Sequence, residues 1–254
     1  MITAIIQART GSSRLPEKVL KEVCGKTLLE HQILRVKRAK LLDRIIVATT
    51  DKPADDPIAE IAKKTGVDIF RGSEADVLDR YYKAAKKYNA SEIVRLTGDC
   101  PLIDPVIIDL VIDYYLKNKN LYDYASNVRP PTFPDGLDVE VFSMATLEKA
   151  WQEAKLPSER EHVTAYIGKN PEIFRLGIVE NAKDLSYLRM TIDEPADWEL
   201  ISKIFLDLYP SKPDFDLADI LTLFGRQTEL LKLNSDITRN HGYLKSLAKD
   251  IKKN

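Results

Sequence analysis

The stretch Thr3-Ala-Ile-Ile-Gln-Ala8, followed at once by Arg9-Thr-Gly-Ser-Ser-Arg-Leu-Pro-Glu-Lys18, decides how the chain is read. Its first half is apolar on both faces, the pattern of a parallel strand covered by helices on each side. The second half is the reverse. Gly11, Ser12 and Ser13 leave backbone N–H groups accessible, and Arg9, Arg14 and Lys18 place three cations within ten residues. A concave run of N–H groups beside cations suits a polyphosphate, whose oxygens only accept hydrogen bonds and whose charge must be offset. The stretch therefore reads either as a triphosphate cradle or as a solvated basic loop after a first strand. The patterns G-x-x-x-x-G-K-[ST] and helix-opening G-x-G-x-x-G are both absent, so this is not one of the common phosphate loops.

The rhythm set by that strand continues. Thr27 caps a helix carrying Leu28, Ile33, Leu34 and Val36; Arg44–Thr49 is a second strand; Asp55 or Asp56 opens a second helix; Val67–Phe70 is a third strand. A helix from Val77 to about Tyr88, a strand over Glu92–Leu96 and a helix opened by Pro105 follow. Strands alternating with helices as far as residue 118 predict a doubly wound, mostly parallel α/β sheet, which binds ligands at the carboxyl ends of its strands. Arg9, Asp51, Arg71 and Asp99 all fall at such ends. From Leu121 the pattern changes: Tyr122–Ser126 and Leu137–Phe142 read as strands joined by a proline-rich loop, Ser143 caps a helix through Trp151, and Ser158-Glu-Arg-Glu161 reads as a capping box starting a helix to Gly168. Phe174–Glu180 and Leu188–Ile192 read as strands, and Pro195–Leu208 as a helix. The segment 226–254 is helix-prone and basic at its end, and a partly ordered extension is the plain expectation.

Composition narrows the function. The 38 basic residues balance 39 acidic ones, which gives no reason to expect nucleic-acid or membrane-surface binding. Cys24 and Cys100 are the only cysteines, so no disulfide framework or Cys-rich metal site is expected, and both read as packing residues. No signal-peptide layout or membrane-spanning run appears, and a soluble cytoplasmic protein is expected.

The run Gln7-Ala-Arg-Thr-Gly-Ser-Ser-Arg-Leu-Pro-Glu-Lys-Val-Leu20 resembles the (P/Q)-A-R-x-x-S-x-R-L-P-x-K signature of sugar-activating cytidylyltransferases, the family of the CMP-KDO and acylneuraminate synthetases. With Gln7, and with Asn234–Leu247 near the end of the chain, it is most similar to the spore coat polysaccharide biosynthesis protein F type. One departure is Glu17, where many relatives carry Gly. The resemblance implies a single nucleotidyltransferase (Rossmann-like) domain over residues 1–225. Within it, residues of about 121–185 would form a small α+β arm for dimerisation and sugar binding, and 226–254 a helical C-terminal extension. It also implies a homodimer, CTP and a sugar acid as substrates, and Mg2+ as cofactor.

Residue by residue, the resemblance makes Ala8, Arg9, Gly11, Ser12, Arg14 and Lys18 nucleotide-binding, and Lys18, Arg14 and Asp99 catalytic. In Arg95-Leu-Thr-Gly-Asp-Cys-Pro, Asp99 follows a strand and a glycine, so it can hold a divalent ion with substrate phosphates or cap the next turn. Thr191-Ile-Asp193-Glu-Pro supplies Asp193 as the second metal ligand or as a cap of the Pro195 helix, and Asp197 reads as a surface residue. Two carboxylates with phosphate oxygens and water suffice for magnesium. Arg71 and Ser73, with Asp76, lie where relatives recognise cytosine and ribose, although a plain turn and cap also accounts for Ser73 and Asp76; Thr97 and Gly98 are further candidates for the base. Arg129, Asp135, Arg160, Glu161, His162 and Arg189 are candidates for the sugar, with an arginine pairing its carboxylate. The sequence thus points to a CTP-dependent cytidylyltransferase. Two rivals are a sugar-nucleotide-dependent glycosyltransferase, for which no Asp-x-Asp element stands at the expected place, and a non-catalytic nucleotide-binding module.

Overall fold

The computed structural model describes residues 1–12, 14–239, Tyr243, Ser246, Leu247 and Asp250. Ser13 of the basic loop and most of the expected helical extension beyond residue 239 lie outside the described residues. In chain order, β1 (Ile2–Gln7) is followed by a short hairpin of β2 (Glu22–Val23) and β3 (Lys26–Thr27). Cys24 and Gly25 turn that hairpin with φ of 50° and 73°, the left-handed pair of a tight two-residue turn. Then come α1 (Leu28–Val36), β4 (Arg44–Thr50), α2 (Asp56–Thr65), β5 (Asp68–Gly72), α3 (Val77–Lys87), β6 (Glu92–Thr97) and α4 (Pro105–Asn118). The second half holds β7 (Tyr124–Ser126), β8 (Glu140–Ser143), α5 (Met144–Glu153), α6 (Pro157–Glu161), α7 (Ala165–Lys169), β9 (Leu176–Ile178), α8 (Pro195–Leu208) and α9 (Leu217–Arg226).

Seven strands form one sheet in the order β5-β4-β1-β6-β8-β7-β9. The first four are parallel, β8 runs antiparallel to β6, β7 antiparallel to β8, and β9 parallel to β7. The expected doubly wound, mostly parallel α/β sheet is present, and the strand order reverses between β1 and β6. A crevice opens at such a switch point because the connections leave it toward opposite faces. Alternation along β1 explains the two layers of helices: Ala4 and Ile6 join one core with α1, α4, α8 and α9, while Ile5 joins the other with α3 and α5. Residues 121–185 continue this sheet through β7, β8 and β9.

Local expectations hold where a cap decides them. Thr27 and Glu30 form a reciprocal capping box, and the Ser143 and Asp76 side chains accept N–H groups at the starts of α5 and α3; Asp104 does the same at the start of α4. Three readings are corrected. Ser158 does not start a helix; Glu159 accepts the Lys155 and Leu156 N–H groups, α6 ends at Glu161, and a separate α7 follows. Leu188–Ile192 is no strand but an extended segment pinned by single bonds, Met190 N–H to Asp135 O at 2.6 Å and Ile192 N–H to Asp99 O at 2.8 Å.

Asp197, expected at the surface, is 0% exposed. It takes Arg189 in bidentate fashion at 2.8 and 2.9 Å, the Asn234 amide at 2.8 Å, and the N–H groups of Asp193 and Glu194 at 2.9 Å each. At the third position of the helix it satisfies orphan N–H groups while fixing the backbone of Asp193. Removing it takes the bidentate partner from the buried Arg189, leaving Asp135 at 2.9 Å, and leaves the Asp193 and Glu194 N–H groups without their acceptor. Asp197→Ala is expected to lower unfolding free energy by about 3–5 kcal/mol; urea titration checks this, and a variant as stable as the parent would contradict it.

Candidate active site

The basic loop is held open by its own backbone and by one buried acid. Ser12 and Glu17 N–H groups both donate to Thr10 O, at 2.7 and 3.1 Å, and Asp55 accepts the Thr10 N–H and hydroxyl at 2.7 Å each. Thr50 also donates to Asp55, tying the loop after β1 to the end of β4. Glu17, the departure from the signature, sits at φ 53°, a left-handed position that glycine fills without strain.

This loop, the β6–α4 loop and the Thr191–Asp193 segment converge on a cleft of about 810 Å³ at the β1/β6 switch point. Lys18 Nζ lies 3.1 Å from Asp99 Oδ2 and 2.7 Å from Asp193 Oδ1. Arg14 reaches Asp193 at 2.8 Å and Glu194 at 3.0 Å. The two carboxylates proposed as metal ligands therefore do share one rim. Burial works against the Lys18 ammonium, but Asp99 and Asp193 outweigh it and hold its pKa above the ordinary lysine value. Burial likewise works against the Asp99 carboxylate, yet Lys18 and Thr97 pull its pKa down to about 2.

Of the expected nucleotide-binding residues, Ala8, Arg9, Gly11, Ser12, Thr97 and Gly98 line the same cleft. Gly98 is required there: a Cβ would stand 2.7 Å from Gln7 O. Arg71 and Ser73 do not line it. They border a separate hollow of about 550 Å³, and Arg71 is committed to structure, donating to Thr50 O, Asp56 and Lys52 O. Asp76 caps α3 and takes Arg160, so Arg160 is a brace between α3 and α6.

Of the sugar candidates, Arg129, Asp135, Glu161 and His162 line the cleft. Arg189 stands behind it, holding Asp197 and Asp135. His162 Nε2 lies 3.0 Å from Ser246 Oγ, and Ser246 donates to Glu161 at 2.8 Å. Several lining residues escaped the sequence reading. Glu140 accepts Arg95, the Tyr124 hydroxyl and the Thr164 hydroxyl; Asp138 takes Arg239 at 2.6 Å; Arg80 comes from the middle of α3. Burial, with Asp135, Glu140 and Asp99 nearby, pushes the Asp138 pKa up to about 7 against the pull of Arg239. The alternation of Asp138 and Glu140 along Leu137–Phe142 was the available signal.

A metal fits this rim by donor chemistry. Among the described residues no three His, Cys, Asp or Glu converge, but Asp99 and Asp193 meet on one cation, and two carboxylates completed by phosphate oxygens are a magnesium-type set. Cys100 is buried, and burial with nearby Asp99 drives its thiol pKa well up, so it is a packing residue.

The profile of the cytidylyltransferase family matches residues 3–237. The chain belongs to the cytidylyltransferase family. This cytidylyltransferase is 34% identical to the spore coat polysaccharide biosynthesis protein SpsF of Bacillus subtilis, over 90% of this chain and 95% of that one. It is 36% identical to the 3-deoxy-manno-octulosonate cytidylyltransferase of Trichlorobacter lovleyi over 57% of each chain. A solved cytidylyltransferase structure from Leptospira borgpetersenii superposes with a TM-score of 0.87 at 38% identity, covering 94% of this chain and 99% of that one. Membership makes the protein an enzyme, a nucleotidyltransferase.

The Asp99 shift makes a pH prediction. A carboxyl held below its unfolded value adds stability that is present above the ordinary range near 4 and is lost as pH falls through about 2. In metal-free protein the wild type is expected to lose roughly 2 kcal/mol more between pH 5 and pH 2 than Asp99→Asn does. Denaturant titrations at the two pH values check this, and parallel losses would refute it.

Proposed function

We propose that the enzyme transfers the cytidylyl group of CTP to a hydroxyl of an acidic sugar, of the 2-keto-3-deoxy class, and releases pyrophosphate for surface polysaccharide synthesis. The observation that carries this reading is the Lys18 ammonium held between Asp99 and Asp193 beside the Gly11–Arg14 loop. The sugar hydroxyl oxygen bonds to the α-phosphorus, the bond from that phosphorus to the bridging oxygen of the pyrophosphate breaks, and the hydroxyl proton is released. Such a transfer depends on placement and charge neutralisation rather than a covalent enzyme intermediate.

In this reading the loop N–H groups and Arg9 hold the phosphates, and Lys18 and Arg14 offset charge on the departing pyrophosphate. Asp99 and Asp193 would hold Mg2+, which when bound neutralises phosphate charge and polarises the α-phosphoryl group. Arg129 supports the acidic acceptor: it lines the cleft, with its guanidinium over the Tyr243 ring and in no ion pair among the described residues. The resemblance to a 3-deoxy-manno-octulosonate enzyme points the same way. A homodimer through residues 121–185 fits the exposed Leu121 and the exposed Ile178 on the edge strand β9. Use of CTP supports a cytoplasmic reaction.

Pyrophosphate release, measured with each of the four nucleoside triphosphates against a panel of keto-deoxy sugar acids, tests the reading. CTP with at least one acid is expected to give turnover that requires magnesium; release with none of the pairs would overturn it. Lys18→Ala is expected to reduce kcat by about 100-fold or more while keeping the circular dichroism of the folded enzyme, and near wild-type turnover would remove Lys18 from the chemistry.

A further inference from the structure

Both carboxylate oxygens of Asp193 meet a cation. Oδ1 accepts the Lys18 ammonium at 2.7 Å, and Oδ2 faces Arg14 at 2.8 Å and Arg189 at 3.7 Å. Asp99 gives Oδ2 to the same ammonium at 3.1 Å, and its Oδ1 faces the Cys100 thiol at 3.6 Å. A magnesium-type ion held by both aspartates needs an oxygen from each at about 2.0–2.1 Å. Whichever oxygen of Asp193 it takes, that oxygen already holds a side-chain cation. Two cations crowded against one carboxylate repel each other, and more strongly in a cleft partly shielded from water. Ion and ammonium therefore compete for the rim.

Of the three cations on Asp193, Lys18 is the one whose build lets it leave. Arg14 is a planar fork divided between Asp193 and Glu194, and Arg189 is committed to Asp197 and Asp135. The backbone at Lys18 is fixed: the neighbouring Val19 is buried, the Lys21 N–H donates to Lys18 O at 3.3 Å, and the Glu17 N–H is tied to Thr10 O at 3.1 Å. Its side chain is a flexible four-carbon stem ending in a compact charge with three rotatable donors. The ammonium can thus change partners by side-chain rotation while the loop stays in place. Gly11 and Ser12 of that loop, which the functional reading assigns to the phosphates, line the same cleft.

Resting on the reading of Asp99 and Asp193 as metal ligands and of CTP as substrate, we propose that Lys18 keeps a divalent ion off the rim until a triphosphate draws the ammonium away. Ion and nucleotide then bind interdependently. The triphosphate supplies both halves of the exchange: its oxygens accept the hydrogen bonds that the ammonium gives up at the aspartates, and its negative charge offsets the added cation. Thermodynamic linkage makes the effect mutual, so the ion raises the affinity for the triphosphate by the same factor.

The test counts bound Mn2+ by electron paramagnetic resonance on the full chain, with no acceptor sugar present. Without nucleotide, the wild type is expected to bind Mn2+ roughly 10- to 100-fold more weakly than Lys18→Met. Adding Asp193→Asn to Lys18→Met should abolish that gain, which places the ion at the rim. CTP, with the ions it holds in protein-free solution subtracted, should tighten Mn2+ binding to the wild type by a similar factor and to Lys18→Met far less. Equal or weaker Mn2+ binding by folded Lys18→Met would overturn the proposal and leave Lys18 as a fixed ion pair; so would a gain that survives Asp193→Asn. Should the variants fail to fold, the wild type decides: Mn2+ bound as tightly without CTP as with it refutes the proposal. Interdependent binding of Mn2+ and CTP without pyrophosphate release for any keto-deoxy acid defeats the functional reading instead, and the two failures are distinguishable.

Discussion

Everything at the site depends on one ammonium group between two carboxylates. Lys18 Nζ meets Asp99 and Asp193, which lie 81 and 175 residues further along the chain. Left alone, the two aspartates would repel one another at the rim, and the lysine, with 12% of its side chain exposed, would be a costly charge. Together they are neutralised to within one charge, and Arg14 on Asp193 supplies the balance. The contact is possible because β1 and β6 are neighbours in register, so that the loops leaving them face each other across the switch point. Fold and chemistry are thus coupled at the same place: the pairing that brings β1 beside β6 is also what assembles the charge cluster.

A second layer holds that cluster in position. Asp193 lies on an extended segment without strand partners of its own, so its geometry comes from Ile192 N–H on Asp99 O and from Asp197 on its own N–H. Asp197 is fixed in turn by Arg189 and by Asn234, a residue 37 positions beyond it. The last described part of the chain therefore acts on the rim indirectly through Asn234, and directly through Arg239, which holds Asp138 and the Phe133 carbonyl.

The opening strand, its loop, the helix caps and the parallel half of the sheet were legible because each rests on local chemistry: a two-faced apolar run, a Thr-x-x-Glu box, a glycine beside a carboxylate. What was not legible depends on partners distant in sequence. Arg71 has the profile of a loop cation free for a ligand, but carbonyls at Thr50 and Lys52 absorb it. Asp197 at a helix start looks like an ordinary first-turn acid; its burial follows only from Arg189 and Asn234 closing over it. Asp138 and Glu140 alternate as a solvated strand face would, yet that face is the cleft wall, where Arg239 and Arg95 meet them. Arg80 sits in Val77-Leu-Asp-Arg-Tyr-Tyr82, where helical periodicity alone assigns it no role.

The cations of the cleft then divide by whether the protein already satisfies them. Arg9, Arg14, Lys18, Arg95 and Arg239 each meet a carboxylate, so their charge is spent on holding the shape of the wall. A ligand that recruits one of them must displace an anion or add to an existing pair, which suits a polyanion such as a triphosphate and its ion. Two lining arginines have no carboxylate partner among the described residues. One is Arg80 beneath the floor; the other is Arg129, whose guanidinium rests 5.9 Å from the Tyr243 ring and against Gly168, where a Cβ would stand 2.2 Å from Nη1. Packing rather than ion pairing fixes both, with Arg80 also donating from Nη1 to Ser73 O. Neutralisation and packing are accordingly separable in this cleft: the paired cations balance the acids of its wall, and the two others are set by contact with Gly72 and with Gly168 and Tyr243.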